Sequence, residues 1–234
     1  MIDLHCHMLP GIDDGSKDVA MSLEMITRSV EQGVSGIVFT PHFYADIDSP
    51  DHFLKARDEA LSKLTDEFDR LPQIPVYTVG AEVHYFRGMS RVDDLERLCI
   101  GNSNFILIEM PFRPWQPQMI DELEEISEVV GLNVIVAHFE RYFDQDKHLL
   151  ARISGNPDLI IQSNAEFFIE RKTTRKATKM LSKGIIDVIG SDSHNLDSRR
   201  PNLNEAAAII AKKCGEDALS DLISRGQQIL ESAL

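Results

Sequence analysis

Short apolar runs recur about every thirty residues along this chain. Residues 2–5 (Ile-Asp-Leu-His), 36–40 (Gly-Ile-Val-Phe-Thr), 75–79, 105–108 (Phe-Ile-Leu-Ile), 133–137 (Asn-Val-Ile-Val-Ala), 158–162 and 186–190 (Ile-Asp-Val-Ile-Gly) are rich in aliphatic and β-branched side chains. They read as strands. Between them the apolar period becomes helical. From Asp18 to Gln32 the apolar positions are Val19, Leu23, Ile26 and Val30, and Gly33 ends the run. Further helices are predicted from Phe53 to about Leu71, stopped by Pro72, and over Pro117–Val130, Asp146–Ile153 and Thr173–Lys183. The tail from Leu203 onward predicts two helices split near Gly215. Near-continuous apolar strands alternating with helices indicate a parallel sheet covered on both sides. The expected fold is α/β, a distorted (β/α)7 barrel. No eighth strand is expected, because the tail is helical. One domain spanning 1–234 is expected, without linker or low-complexity segment.

The polar residues that end these runs carry the chemistry. His5, His7, His42, Glu82, Glu109, His138, Asp192 and His194 each fall at or just past the end of a strand-like run. Side chains gathered at one end of parallel strands describe a site at the mouth of a barrel. His5 and His7 are two apart, so on a strand both imidazoles face the same way. Asp192 and His194 repeat that spacing. Glu82 and Glu109 are carboxylates able to bridge ions, and two ions about 3.5–4 Å apart can clamp an attacking and a leaving oxygen. Asp13 and Asp14 follow the first strand in a Gly-containing loop. Asp14 is the candidate ligand there, and Asp13 reads as a turn or capping residue. Mixed nitrogen and oxygen donors suit Zn, Mn or Fe and not Ca. The candidates exceed what one ion needs and suffice for two or three.

Arg141 lies three residues past His138 and Arg199 five past His194. Arginine forks match phosphate oxygens. Arg200 reads as structural or exposed. His84 reads as a loop histidine, and His52 and His148 as solvated residues at helix starts. Phe43, Tyr44, Phe86, Phe112 and Trp115 fall on the loops of the same face, where an aromatic rim would suit an aromatic phosphoester.

Composition narrows the class. The formal net charge is −14 over 234 residues, which disfavours nucleic acid and anionic membrane surfaces. No segment approaches a membrane span, the opening Met-Ile-Asp-Leu-His is no signal peptide, and the three cysteines suggest no disulfide framework. A cytoplasmic protein is expected. The residues six past Cys6, Cys99 and Cys214 are Ile12, Phe105 and Ser220. That excludes the Cys-x5-Arg phosphatase loop. No Gly-x-Ser-x-Gly elbow and no Walker loop occur.

His5-Cys6-His7-Met-Leu-Pro-Gly-Ile-Asp-Asp-Gly-Ser resembles the opening of the PHP (polymerase and histidinol phosphatase) superfamily, relatives of the TIM barrel. More closely it is similar to the CpsB/YwqE-type bacterial protein-tyrosine phosphatases. The likeness continues through Thr40-Pro41-His42, Gly80-Ala81-Glu82, Ile108-Glu109-Met110-Pro111, Ala137-His138-Phe139-Glu140-Arg141-Tyr142 and Ser191-Asp192-Ser193-His194-Asn195-Leu196. Phe139 departs from the pattern, which more often has Pro.

The resemblance implies a manganese site of three ions, with Fe or Zn as alternatives. His5, His7, Glu82 and Asp192 would hold one ion. Glu82 would bridge to a second, held also by Glu109 and His138. Asp14, His42 and His194 would hold a third. Arg141 and Arg199 would grip phosphate, and Asp14 or the third ion would help the phenolate leave. The implied substrate is the phosphotyrosine tail of a bacterial tyrosine autokinase controlling capsule or exopolysaccharide synthesis. A small-molecule phosphoesterase of the histidinol-phosphate phosphatase type would use the same ions. An amidohydrolase also begins His-x-His, but usually adds an eighth strand and often a strand-end lysine, which this sequence lacks. A non-catalytic binding module would not need the complete donor set.

Overall fold

The computed structural model describes residues 1–234. Its strands are β1 (Ile2–Cys6), β2 (Gly36–Phe39), β3 (His42–Phe43), β4 (Val76–Val79), β5 (Glu82–His84), β6 (Phe105–Glu109), β7 (Asn133–Val136), β8 (Leu159–Asn164) and β9 (Val188–Gly190). The helices are α1 (Val19–Glu31), α2 (Pro50–Thr65), α3 (Pro117–Glu125), α4 (Lys147–Ser154), α5 (Ala165–Ile169), α6 (Thr174–Leu181), α7 (Leu203–Cys214) and α8 (Glu216–Ala233).

All strand pairs are parallel, in the orders β1-β2-β4 and β3-β5-β6-β7-β8-β9. The two sheets are one curled surface interrupted twice. Pro41, which has no N–H to give the ladder, separates β2 from β3, and Gly80-Ala81 separates β4 from β5. Backbone bonds span both breaks: Gly80 N–H donates to the Phe39 carbonyl at 2.8 Å and Glu82 N–H to the Pro41 carbonyl at 2.9 Å. The seven apolar runs therefore occupy seven neighbouring positions. The outer strands meet through a parallel bridge between Cys6 and Ser193, with Asp192 N–H donating to the His5 carbonyl at 2.8 Å and His7 N–H to that of Ser193 at 2.9 Å. The result is the distorted seven-position barrel expected from the strand–helix alternation.

Caps fix where helices start. Asp18 accepts from Met21 N–H at 2.8 Å at α1, and Asp146 from His148 N–H at 2.8 Å at α4. The stretch expected as one helix over Pro117–Val130 is α-helical only to Glu125; Ile126–Val130 widens into a π turn that Gly131 (φ 82°) ends. The stretch expected to reach Leu71 leaves helical geometry after Thr65 and makes a separate 3-10 turn at Phe68–Arg70. At the start of the strands, Ile229, Leu230 and Ala233 of α8 pack with Ile2, Leu4 and Val38. One end of the barrel is thus sealed with hydrocarbon, and the other is left for polar side chains. No helix is long and apolar enough to cross a membrane.

Candidate metal centre

His5 and His7 project from the same side of β1, both fully buried, with their Nε2 atoms 3.2 Å apart. Glu82, at the start of β5, stands between the groups. Its Oε2 lies 3.2 Å from His5 Nε2, 3.1 Å from His7 Nε2 and 2.9 Å from His42 Nδ1. Its Oε1 lies 2.9 Å from His138 Nε2, which is also 3.3 Å from Glu109 Oε1. Asp192 Oδ1 is 3.5 Å from both His5 Nε2 and His7 Nε2. Asp14 reaches the group from the loop after β1, with Oδ1 at 3.5 Å from His42 Nε2 and 3.4 Å from His194 Nε2.

Three sets have donor atoms all within 4.8 Å of one another: His5, His7 and Asp192; His42, Glu82 and Glu109; and His7, Asp14, His42 and His194. These groupings share His7 and His42 between sets. They add His42 to Glu82 and Glu109, the two carboxylates that His138 Nε2 also approaches.

Local backbone aims two of these side chains. His138 (φ 31°) and Asp192 (φ 52°) both adopt left-handed conformations just past their strands. Non-glycine residues pay a steric cost there, and such residues concentrate at functional sites. Gly190 lets β9 approach β1: a Cβ there would sit 2.6 Å from His5 Cβ.

A second layer of polar groups sets the protonation of the rings. His7 Nδ1 lies 2.7 Å from Asp13 Oδ2, a carboxylate that also accepts from His42 N–H at 3.1 Å and Gly15 N–H at 2.9 Å. Gln162 Oε1 accepts from His138 N–H at 2.6 Å and lies 3.2 Å from His5 Nδ1. Its amide nitrogen donates to Asn164, which in turn donates to Asp192 Oδ2 at 2.8 Å. His194 Nδ1 faces the Asp192 carbonyl at 2.9 Å. Each of these three Nδ1 atoms meets an oxygen that can only accept, so each carries the hydrogen. Once these rings are neutral, the Nε2 atoms of His5, His7 and His194 are left to present lone pairs. Asp3, buried below, accepts from Ser191 N–H at 2.8 Å and Ser191 Oγ at 2.6 Å, tying β1 to the end of β9.

The electrostatics are those of crowded carboxylates and imidazoles. Burial disfavours the His7 imidazolium, but Asp13 and Glu82 outweigh it and hold its pKa at about 10. His138 is likewise disfavoured by burial and raised to about 9 by Glu109 and Glu82. Burial works against the Glu109 carboxylate too, yet His138 and His84 bring it down to about 2. His194 goes the other way, to about 4, through burial and the nearby His7 charge.

The donor set fits divalent ions. Five imidazoles and four carboxylates converge, a mixture suited to Mn, Fe or Zn. Buried His42 Nδ1, Glu82 Oε2, His138 Nδ1 and His194 Nε2 have no hydrogen-bond partner. The 2.9 Å approach of His42 Nδ1 to Glu82 Oε2 is misaligned for a hydrogen bond. Unsatisfied buried polar atoms are costly, and a cation would satisfy these.

Arg199 and Arg141 stand at the rim. Arg199 Nη2 is 2.7 Å and Arg141 Nη1 3.7 Å from the Asp192 carboxylate. Arg141 also covers the Phe112 ring at 4.7 Å, and that ring stacks over His138 at 6.1 Å. Tyr44 lies against His42 and His84, each at 5.3 Å between ring centres. His52 and His148 are exposed, as expected. His84 is not the loop residue expected: it ends β5, with Nδ1 2.9 Å from Glu109 Oε2. The spacing Glu82-Val83-His84 repeats that of His5 and His7 and was the available signal. Asp13, read as a turn or cap, instead orients His7. Gln162, Asn164 and Asp3 carried no local signal, because their partners are distant in sequence.

The family model described as "Capsular polysaccharide synthesis, CpsB/CapC" matches residues 1–231. The chain belongs to the CpsB/CapC family. Among relatives of this CpsB/CapC chain, the tyrosine-protein phosphatase YwqE of Bacillus subtilis is 27% identical, covering 99% of this chain and 92% of YwqE. The tyrosine-protein phosphatase CpsB of Streptococcus pneumoniae is 29% identical, covering 95% and 94%. A solved structure from the study of these two proteins, described as unique metal-dependent tyrosine phosphatases, superposes with a TM-score of 0.82. It is 25% identical and is covered to 96% by the whole of this chain.

Proposed function

We propose that this chain is a metal-dependent protein-tyrosine phosphatase of the cytoplasm. Its proposed substrate is the phosphotyrosine tail of a bacterial tyrosine kinase that regulates capsule or exopolysaccharide synthesis. The observation that carries the reading is the convergence of imidazoles and carboxylates on Glu82, with the His5, His7 and His194 rings turned so that Nε2 faces inward. The tyrosine phosphatases YwqE and CpsB, similar along nearly their whole length, support the substrate class.

In this reading His5, His7, Glu82 and Asp192 hold one ion, Glu82, Glu109 and His138 a second, and Asp14, His42 and His194 a third. Manganese is the proposed occupant, and Fe or Zn could use the same donors. Bound divalent ions would supply Lewis acidity toward the phosphoryl oxygens and the attacking water.

The remaining work belongs to the chain itself. Arg199 and Arg141 are partly exposed beside Asp192. Their guanidinium forks bind the phosphoryl oxygens and neutralise charge as the bond to the tyrosyl oxygen breaks. Phe112 and Tyr44 flank the mouth and pack against the phenyl ring. Asp14, with a side chain 68% exposed, is placed to take a proton from the attacking water and pass it to the departing oxygen. A phenolate, of pKa about 10, needs less help to leave than an alkoxide.

The test is hydrolysis of a phosphotyrosine peptide with and without a chelator. Activity is expected to vanish on chelation and return with manganese, and Asp192→Ala should lower turnover by at least about a hundredfold. Turnover indifferent to chelator, or a preference for histidinol phosphate over the peptide, would overturn the proposal.

A further inference from the structure

A second cavity opens on the same face as the metal centre, on loops continuous with it. It has a volume of about 380 Å³ and is lined by Tyr85, Arg87, Arg113, Glu122 and the first turn of α3. Tyr85 directly follows His84, and Arg113 directly follows Phe112, the ring beneath Arg141. Arg87 is three residues past His84 and Arg113 four past Glu109. At no more than about 3.6 Å per residue, their Cα atoms lie within roughly 11 and 14 Å of those two site residues.

The side chains lining this cavity carry more positive than negative charge. Arg97, Arg152 and Arg225 are each tied to carboxylates. Arg87 and Arg113 are exposed and make no ion pair. The cavity holds one carboxylate, Glu122, which accepts from Tyr85 Oη at 3.0 Å and from Gly88 N–H at 2.9 Å and is outnumbered by the two guanidiniums. Helix α3 adds a third attraction for anions. Its first turn carries no acidic residue and no side chain caps it. The partial positive charge of its N-terminus therefore faces the cavity uncompensated. Two free guanidinium forks and an open helix start are complementary to an anion.

We propose that this cavity is a second anion-binding subsite. It would receive an acidic side chain of the polypeptide substrate, a second phosphoryl group or a carboxylate, two to four residues from the phosphotyrosine being hydrolysed. An extended peptide rises about 3.4 Å per residue, so that offset spans the separation set by the two loops. The inference rests on the phosphotyrosine phosphatase reading, and p-nitrophenyl phosphate separates the two. That substrate reaches the metal centre but not the subsite.

The experiment compares phosphotyrosine peptides with phosphotyrosine, glutamate or alanine three residues away, on the unaltered enzyme and on the double variant Arg87→Gln/Arg113→Gln. The unaltered enzyme should show a KM about three- to tenfold lower for an anionic neighbour than for alanine. The advantage should shrink as salt is added. The double variant should lose it while hydrolysing p-nitrophenyl phosphate normally. An advantage for phosphotyrosine alone would assign the subsite to phosphoryl groups, and an equal advantage for glutamate would assign it to anions generally. Equal KM values across the series on the unaltered enzyme would overturn the inference, whether or not the variant folds. So would an advantage that survives in the double variant. Failure to hydrolyse p-nitrophenyl phosphate at all would instead remove the phosphatase reading beneath it.

Discussion

Asp13 shows how a single side chain governs its neighbours. Its carboxylate holds His7 Nδ1 and the His42 backbone at once, and its own pKa is carried to about 2, as His7 and backbone bonds from Gly15 and His42 overcome burial. Removing such a partner from a metal-binding histidine typically lowers affinity 10- to 100-fold. Asp13→Asn should therefore weaken manganese binding by about that factor, measured by titration calorimetry, with little change in the fold. Unchanged affinity would mean that the ring is held by packing alone. Gln162→Leu should act on two ligands together, since the amide serves both His5 and His138. At this scale the sequence exposed the donors themselves, because an imidazole or carboxylate ending an apolar run stands out. It hid Asp13, Gln162 and Asn164, whose importance comes from atoms brought near only by folding.

The strand ends are where local structure meets chemistry. Gly190 sits where β9 passes β1, and Gly190→Ala should push β1 away at His5, carrying its imidazole out of place. Loss of bound metal together with a drop in melting temperature is expected. Gly33 is the contrast. It follows α1 at φ 84° with nothing within 4 Å of a would-be Cβ, so Gly33→Ala should cost only about 1 kcal/mol through backbone strain and leave metal content intact. Equal metal loss in both variants would show that the close approach at Gly190 is not what positions His5. The strand–helix alternation was readable because apolar period and length differ so clearly between the two element types. The interruptions at Pro41 and Gly80 were less so, and α5 was not foreseen, since five residues give no helical period to read.

Over the whole molecule, the formal charge of −14 makes the collection of buried carboxylates expensive. Protons on His7 and His138 offset it. Their pKa values, about 10 and 9 against an ordinary value near 6.5, mean that this stabilisation is complete below about pH 6.5. It fades as the pH rises through those raised values. Cation binding requires neutral rings, so uptake at pH 7 must expel protons and affinity must climb with pH. Calorimetry in two buffers of different ionisation heat should detect the release; identical heats would contradict the charge pattern. Because ions bind the folded state, a hundredfold excess over the dissociation constant should add about 2.7 kcal/mol of stability, seen as a higher melting temperature with manganese than with chelator.

The bridge from Cys6 to Ser193, with Asp3 gripping Ser191 across 188 residues of sequence, joins the two halves of the donor set. His5 and His7 are synthesised long before Asp192 and His194. A ribosome-bound chain that has emerged only through β8 owns two of these imidazoles without the aspartate that faces them. Tight ion loading at these donors therefore waits for β9 and the residues just after it, and products truncated before β9 should remain poor competitors for scarce metal in the cell.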